Sequence, residues 1–441
     1  FSEYFDTDNS TLNPHNVGHG FYVYGTFPIF VVRYLAEWLN QTGYDQVYLI
    51  GRAVSAVADI LTCLVVFLIA LKLYKRWSIA VLAAGFSSFT VLQIQQSHFF
   101  TVDVFANFFL VLSLYFIVLI QQWSRKNSVI ENLSSQSGDD HGAIAVLRGN
   151  WSGLWLFVFF GLSLGMAAAS KISSAPIAVL LPIILGVELI HGPKEMQKVQ
   201  TLIFIRNTII AAFVSVITFR ILQPYAFAGP GFFGLMLNPR WLSNMRELSQ
   251  MSAGNVDFPP ALQWARRPIT FALKNMVFWG MGIAMGVTAW TSFLLMAWKM
   301  VKGQWRIHFI LWGWTAIYFT LQSINFTRSM RYQLPVYPTL AIIAGWGLIM
   351  LWEKVNRIGI VGSKGFWTKF VRAATAILIT GVVLTTSAYS YAFTRIYTRP
   401  VTRVAASEWI YQNVPSAINL QINTNEEIRN HPLPFKNGRE I

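Results

Sequence analysis

VYLIGRAVSAVADILTCLVVFLIALKLY, residues 47–74, decides the fold. The run exceeds the ~20 apolar residues that an α-helix needs to cross a bilayer. Its only charged residues are Arg52, Asp59 and Lys72. Downstream, runs 78–95, 104–120, 151–169, 175–190, 202–222, 276–298, 307–321, 334–352 and 373–392 have the same character, with 307–321 short and aromatic. Together they make ten candidate spans of an all-α polytopic membrane protein. Upstream, run 21–39 is interrupted by Pro28 and Arg33 and predicts a helix lying in the membrane interface. Three regions are expected: residues 1–46 as an extracytoplasmic loop with that helix, 47–393 as the transmembrane domain, and 394–441 as the start of an extracytoplasmic segment. In that last part TRVAASEWIYQNVP reads as a helix ended by Pro415, and INLQINT alternates like a strand.

Composition supports this class. The chain is 54% hydrophobic and 12% charged, about half the charged fraction of a soluble domain, ~25%. The net charge of +15 does not imply nucleic acid, because many of the cations sit in short loops between apolar runs. Those loops carry Lys72, Lys75 and Arg76; Arg125, Lys126 and Arg148; Lys194 and Lys198; Lys299, Lys302 and Arg306; and Lys354, Arg357, Lys364, Lys369 and Arg372. Every alternate junction is basic, which places these loops in the cytoplasm. The loop 223–274 then faces outward despite its own arginines, because long loops follow the rule less closely. Its mixture of aromatic and charged residues predicts an ordered cover over a site. Loop 121–150 is long and polar and reads as a disordered cytoplasmic insertion. Both chain ends read as cuts within a longer protein.

Chemistry in such proteins is sought where ionisable residues meet span ends. Arg52 in GRAVSA, Lys171 in AAASKISSAP and Arg331 in TRSMRYQLPVYP are predicted at one outer depth on three helices. Together they could hold a lipid phosphate or pyrophosphate; singly, each could snorkel to the interface or pair with a nearby carboxylate. Asp103, in QSHFFTVDVFANFF, could bond a sugar hydroxyl or act as a base, or could cap its helix. His98 and Tyr332 are candidate substrate contacts, and His98 could equally be a structural hydrogen-bonder. Asp59, within the first span, is expected to bond another helix. The lone Cys63 supports neither an intramolecular disulfide nor a metal cluster. No Walker A or HExxH pattern occurs, and neither a cofactor nor a metal is implied. GPGFFG (229–234) and GLSLG (161–165) match a dinucleotide fingerprint and a nucleophile elbow by letters alone, since neither has the required strand context.

The segments LNPHNVGHGFYVYGTFPIF, VYLIGRAVSA, QQSHFFTVDVFANFF, GMAAASKISSAP, NVDFPPALQWA and RSMRYQLPVYP, in this order, resemble bacterial glycosyltransferase family 39-like membrane proteins. These are relatives of protein O-mannosyltransferases and lipid A aminoarabinose transferases. The resemblance covers residues 1–415 and implies a GT-C fold with its site on the extracytoplasmic face of the cell membrane. It implies inverting transfer of a hexosyl or pentosyl group from a polyprenyl-phosphate donor to an acceptor hydroxyl. Arg52 and Lys171 would meet the donor phosphate, Arg331 would match the cation before a late span, and Asp103 would match the second acidic position. The family's first acidic pair, usually in His-Pro-Asp-Glu before LNPH, has no counterpart here. The catalytic base is therefore expected in a missing N-terminal region, and the chain alone is expected to be inactive. Two competing readings are a transporter or flippase of lipid-linked sugars and a non-catalytic assembly protein. A transporter should show paired repeats with broken midplane spans, and no such repeat is visible.

Overall fold

The computed structural model describes residues 3–134, 151, 153–191, 197–361, 365–414, 419–423 and 428–432. Residues 1–387 and 388–441 form two compact units.

The first unit opens with an irregular segment and helix α1, Phe27–Trp38. Pro28 sits in the first turn of α1 rather than interrupting it, because the missing N–H would have no helical partner there. Arg33 pairs with Glu37 one turn on, at 2.8 Å. Helix α2, Tyr44–Tyr74, is the run quoted first. The next run is not one straight helix. It splits into α3, Trp77–Ser88, and α4, Val91–Ser97, bent by 56°. Helix α5 covers Val102–Ser134, so residues 121–134, expected as loop, continue the helix. The remaining positions of the predicted disordered insertion, 135–150, lie outside the described residues.

Helix α6, Leu154–Ser170, precedes a 3₁₀ segment, Ile172–Val179, and α7, Leu180–His191. Helix α8 is Gln197–Leu222. The following loop is ordered by α9, Pro239–Ala253, and the short α10, Ala261–Ala265, and α11, Phe271–Asn275. Helices α12, Ile283–Lys299, and α13, Trp305–Ile324, come next. A 3₁₀ segment, Met330–Val336, leads into α14, Tyr337–Val361, and α15 is Phe366–Thr394.

Among the described residues, seven helical stretches are long and apolar enough to cross a membrane, or eight if the bent α3–α4 pair is one span. One of the seven, Ile283–Ile324, has 42 residues. A continuous helix of that length would extend about 63 Å, twice a ~30 Å hydrocarbon core. It breaks at Lys302 and Gly303, which leave helical geometry. Across the break Phe293 stacks on Trp312 and Trp290 meets Phe319, so α12 and α13 run antiparallel. Both arms of this hairpin, the bent pair and the short apolar α6 account for the ten runs in the sequence. Helix α14 is central: Tyr337, Leu340, Ala341, Ile342, Ile343 and Ala344 are all buried, as expected of a helix apolar on every side. GLSLG lies within α6 and is a packing device. A Cβ on Gly161 would strike Ala211 of α8, and one on Gly165 would strike Thr218. Ser163 Oγ bonds Ser113 Oγ of α5 at 2.9 Å.

The basic junctions gather at one end of this unit. Arg76 pairs with Glu353. Arg125 Nε lies 3.4 Å from Glu188, and its Nη2 donates to the Arg306 carbonyl at 2.7 Å. Gln122 donates to the Lys72 carbonyl at 2.8 Å. Among the described residues these contacts link four of the basic junctions, and Arg125 also reaches Glu188 near the end of α7.

Among its described residues, the second unit holds α16, Thr402–Asn413, and an antiparallel hairpin of β1, Asn419–Asn423, and β2, Ile428–Pro432. The helix and first strand match the reading of TRVAASEWIYQNVP and INLQINT.

Candidate functional site

At the end of the first unit away from the basic junctions lies a cavity of about 290 Å³. Tyr22, Tyr24, Ile29, Phe100, Thr101, Val102, Asp103 and Arg331 line it. Asp103 is in the first turn of α5, inside the helix rather than at its cap. The helix dipole favours a carboxylate there. Its side chain is 5% exposed and accepts from Lys171 Nζ at 2.6 Å. Lys171 directly follows α6 in extended geometry, φ −158° and ψ 116°, which carries its side chain off the helix towards α5.

Tyr332 joins the two cations. The Lys171 ammonium lies 4.5 Å from the ring centroid and the Arg331 guanidinium 5.3 Å from the same centroid. An aromatic face attracts each cation by roughly 0.5–2 kcal/mol. Lys171 and Arg331 together carry one more charge than Asp103 balances, so this cluster favours an anion.

The predicted residues divide in space. Lys171, Asp103, Arg331 and Tyr332 form one connected cluster. Arg52 does not line the cavity; its neighbour Gly51 packs against the Phe100 ring of the cavity wall. Seven residues separate Arg52 from Asp59, so both point from one face of α2. Asp59 accepts from Gln93 Nε2 of α4 at 3.1 Å, the interhelix bond expected for it. His98 is also off the cavity lining, and its Nδ1 lies 2.7 Å from the Ile94 carbonyl of its own turn.

The roof of the cavity is a strap, residues 20–26, whose site role sequence reasoning missed. Gly25 N–H donates to the Ser170 carbonyl at 3.2 Å, immediately before Lys171. A Cβ at Gly25 would collide with the backbone of Ala169 and Ser170. Thr26 donates from its N–H and its hydroxyl to Gln223 Oε1 at 2.5 and 2.7 Å. Asn244 of α9 donates to the Gly20 carbonyl at 3.3 Å, so loop 223–274 supports the strap. The strap carries Tyr22 and Tyr24 over the cavity. The Tyr22 and Thr101 hydroxyls are buried there with no protein partner. Burial first, then the neighbouring Tyr24, pushes the Tyr22 hydroxyl up to about 12. The only sequence signal was a glycine set among aromatics in FYVYGTF.

No protein-family profile matches the chain, and no curated protein matches it. Solved structures do. The oligosaccharyltransferase of Archaeoglobus fulgidus, tethered to an acceptor peptide containing an NVT sequon, superposes with a TM-score of 0.54 at 17% identity, covering 94% of this chain and 53% of its own. The same organism's AglB, in complex with an inhibitory peptide and a dolichol-phosphate, gives 0.51 at 15% identity, covering 93% and 54%. ArnT from Cupriavidus metallidurans bound to undecaprenyl phosphate gives 0.47 at 14% identity, covering 94% and 76%. The chain spans about half the length of the archaeal structures. At these identities the archaeal likeness is one of architecture, and the chain has the GT-C fold that its sequence motifs implied.

Proposed function

We propose that the protein transfers a sugar from a polyprenyl-phosphate donor to an acceptor hydroxyl at the extracytoplasmic face of the cell membrane, with inversion. The observation that carries this reading is the Lys171–Tyr332–Arg331 cluster beside Asp103; of these residues Asp103 and Arg331 line the cavity, which lies far from the basic junctions. Those junctions belong in the cytoplasm, so the cavity opens on the other side. A phosphate leaving group departs already charged and needs cations more than a general acid. Lys171 and Arg331 supply them. The bond from the anomeric carbon to the phosphate oxygen breaks as the acceptor oxygen attacks from the opposite face, and a carboxylate takes the acceptor proton. Asp103, which lines the cavity, is the carboxylate that would meet the sugar or the acceptor hydroxyl. The dolichol-phosphate in the archaeal AglB complex accords with a lipid phosphate as the shared element of the donor. Arg52 and His98 are outside the cavity lining, so Arg52 would reach the phosphate only from the side of α2 and His98 would not touch the sugar.

The test is transfer of a radiolabelled hexose or pentose from its polyprenyl phosphate by membranes containing the full-length parent protein, alongside binding of polyprenyl phosphate itself. Asp103→Asn should keep lipid-phosphate binding and lose transfer. Wild-type transfer by that variant would return Asp103 to a structural role.

A further inference from the structure

The loop after α8 holds a second feature, distinct from the cavity. Residues 227–237 form a small hairpin in which Phe227 bridges Leu237 and Ala228 N–H donates to the Met236 carbonyl at 2.7 Å. It is the segment containing GPGFFG. Its inside is held by Arg220, the largest fully buried side chain among the described residues, 1% exposed. The guanidinium donates to three carbonyls: Phe232 at 3.0 Å, Pro224 at 2.9 Å and Gly231 at 2.5 Å. It also lies 4.8 Å from the Phe5 ring and 5.0 Å from the Phe227 ring.

The position of Arg220 on its helix shows which way the hairpin faces. Ile205, Ile209, Phe213 and Val216 are exposed along α8. At 100° per residue they share one stripe, the stripe that meets lipid. Arg220 falls on the same stripe, one turn nearer the end. It is buried there because the hairpin folds back over the lipid side of α8 and caps its guanidinium. The hairpin's outer surface therefore continues the lipid-facing surface. That surface is apolar: Phe233 is 89% exposed, Met236 77% and Leu235 54%. The exposed Arg240 follows at the start of α9.

We propose that the 227–237 hairpin is a membrane anchor that inserts Phe233, Leu235 and Met236 into the headgroup and acyl boundary of the leaflet beside the cavity. Exposed apolar groups rimmed by a cation are the side chains that such a boundary accommodates. Arg240 lies where it can meet lipid phosphate. The hairpin and the end of α8 are tied to the N-terminal segment: Thr7 Oγ1 donates to the Phe227 carbonyl at 2.7 Å and Tyr4 donates to the Ile221 carbonyl at 2.6 Å.

Cys63 is the chain's single cysteine, so a Cys63→Ser background allows site-directed spin labelling. Phe233→Cys, Leu235→Cys, Met236→Cys and, as a polar reference on α9, Ser249→Cys are labelled in the full chain. The protein is reconstituted in vesicles of mixed zwitterionic and anionic phospholipid. Collision with oxygen, which concentrates in lipid, is compared with collision with a water-soluble nickel chelate. The oxygen-to-nickel ratio should be higher at 233, 235 and 236 than at 249. A ratio at all three equal to that at 249 would overturn the anchor. So would protection from both reagents, which would mean that protein, not lipid, covers the tip. Three independent positions keep the result readable if one label distorts the hairpin.

Discussion

Lys171 Nζ lies 2.6 Å from Asp103 Oδ1, and this ion pair ties the end of α6 to the first turn of α5. Asp103 is nearly buried, so Lys171→Met should leave a carboxylate without its partner. Breaking a buried pair costs about 3–5 kcal/mol, and the partial exposure of Lys171, 22%, puts the loss at the lower end. Asp103→Asn added to Lys171→Met should recover most of it. Thermal unfolding of the purified variants in detergent checks this; a Lys171→Met protein as stable as wild type would sink it.

Arg331 lines the cavity and Arg52 does not. Arg331→Ala should therefore weaken polyprenyl-phosphate binding about ten- to a hundredfold, the worth of a charge-assisted hydrogen bond at roughly 1.5–3 kcal/mol. Arg52→Ala should cost less. Titration of each variant with polyprenyl phosphate ranks them, and equal losses would contradict the ranking.

Gly25 touches backbone, not flexible side chain, so the strap cannot yield locally to a methyl group. Gly25→Ala should lift the strap and destabilise it by about 1–3 kcal/mol, the usual cost of overpacking. Hydrogen exchange at residues 20–26 should accelerate while the buried helix α14 keeps its protection. Unchanged exchange in the strap would refute the contact as a constraint.

Orientation can be checked in the Cys63→Ser background. Ser249→Cys on α9 should react with a membrane-impermeant thiol reagent in intact cells. Lys302→Cys, in the break between α12 and α13, should react only after permeabilisation. The reverse pattern would invert the protein and place the cavity in the cytoplasm.

The raised Tyr22 hydroxyl has a pH consequence with a definite sign. A phenol raised from 10.0 to about 12 on folding favours the folded state while it stays protonated. That contribution is complete below pH 10 and is lost as pH rises towards 12. The difference in phenolate absorbance between wild type and Tyr22→Phe should appear in that window. A difference centred near pH 10 would show the hydroxyl to be solvated.

The spans were legible because membrane crossing is a local property. Run length and apolarity are set by consecutive residues, and ten runs are visible without knowing how they pack. Even there, the bend between α3 and α4 and the extension of α5 to Ser134 escaped notice. Thr90 and the polar residues after Gln121 carry weaker local signals than apolar runs do.

The sequence by itself determined which segments are apolar helices of membrane length, that basic junctions alternate along the chain, and that Asp103, Lys171 and Arg331 lie at the ends of spans; Arg52, expected there too, lies two turns inside α2. Depth follows from position along a run, so those statements need no packing. Direction does not. Two cations at one depth can face each other or opposite sides of a bundle, because helix rotation is decided by neighbours. Only the tertiary structure brought Lys171 and Arg331 to the same Tyr332 ring, bonded Asp59 to Gln93 of α4, and laid the Gly25 strap against Ser170. It also folded a hairpin over Arg220, since a guanidinium on a lipid-facing stripe must find its acceptors in another part of the chain.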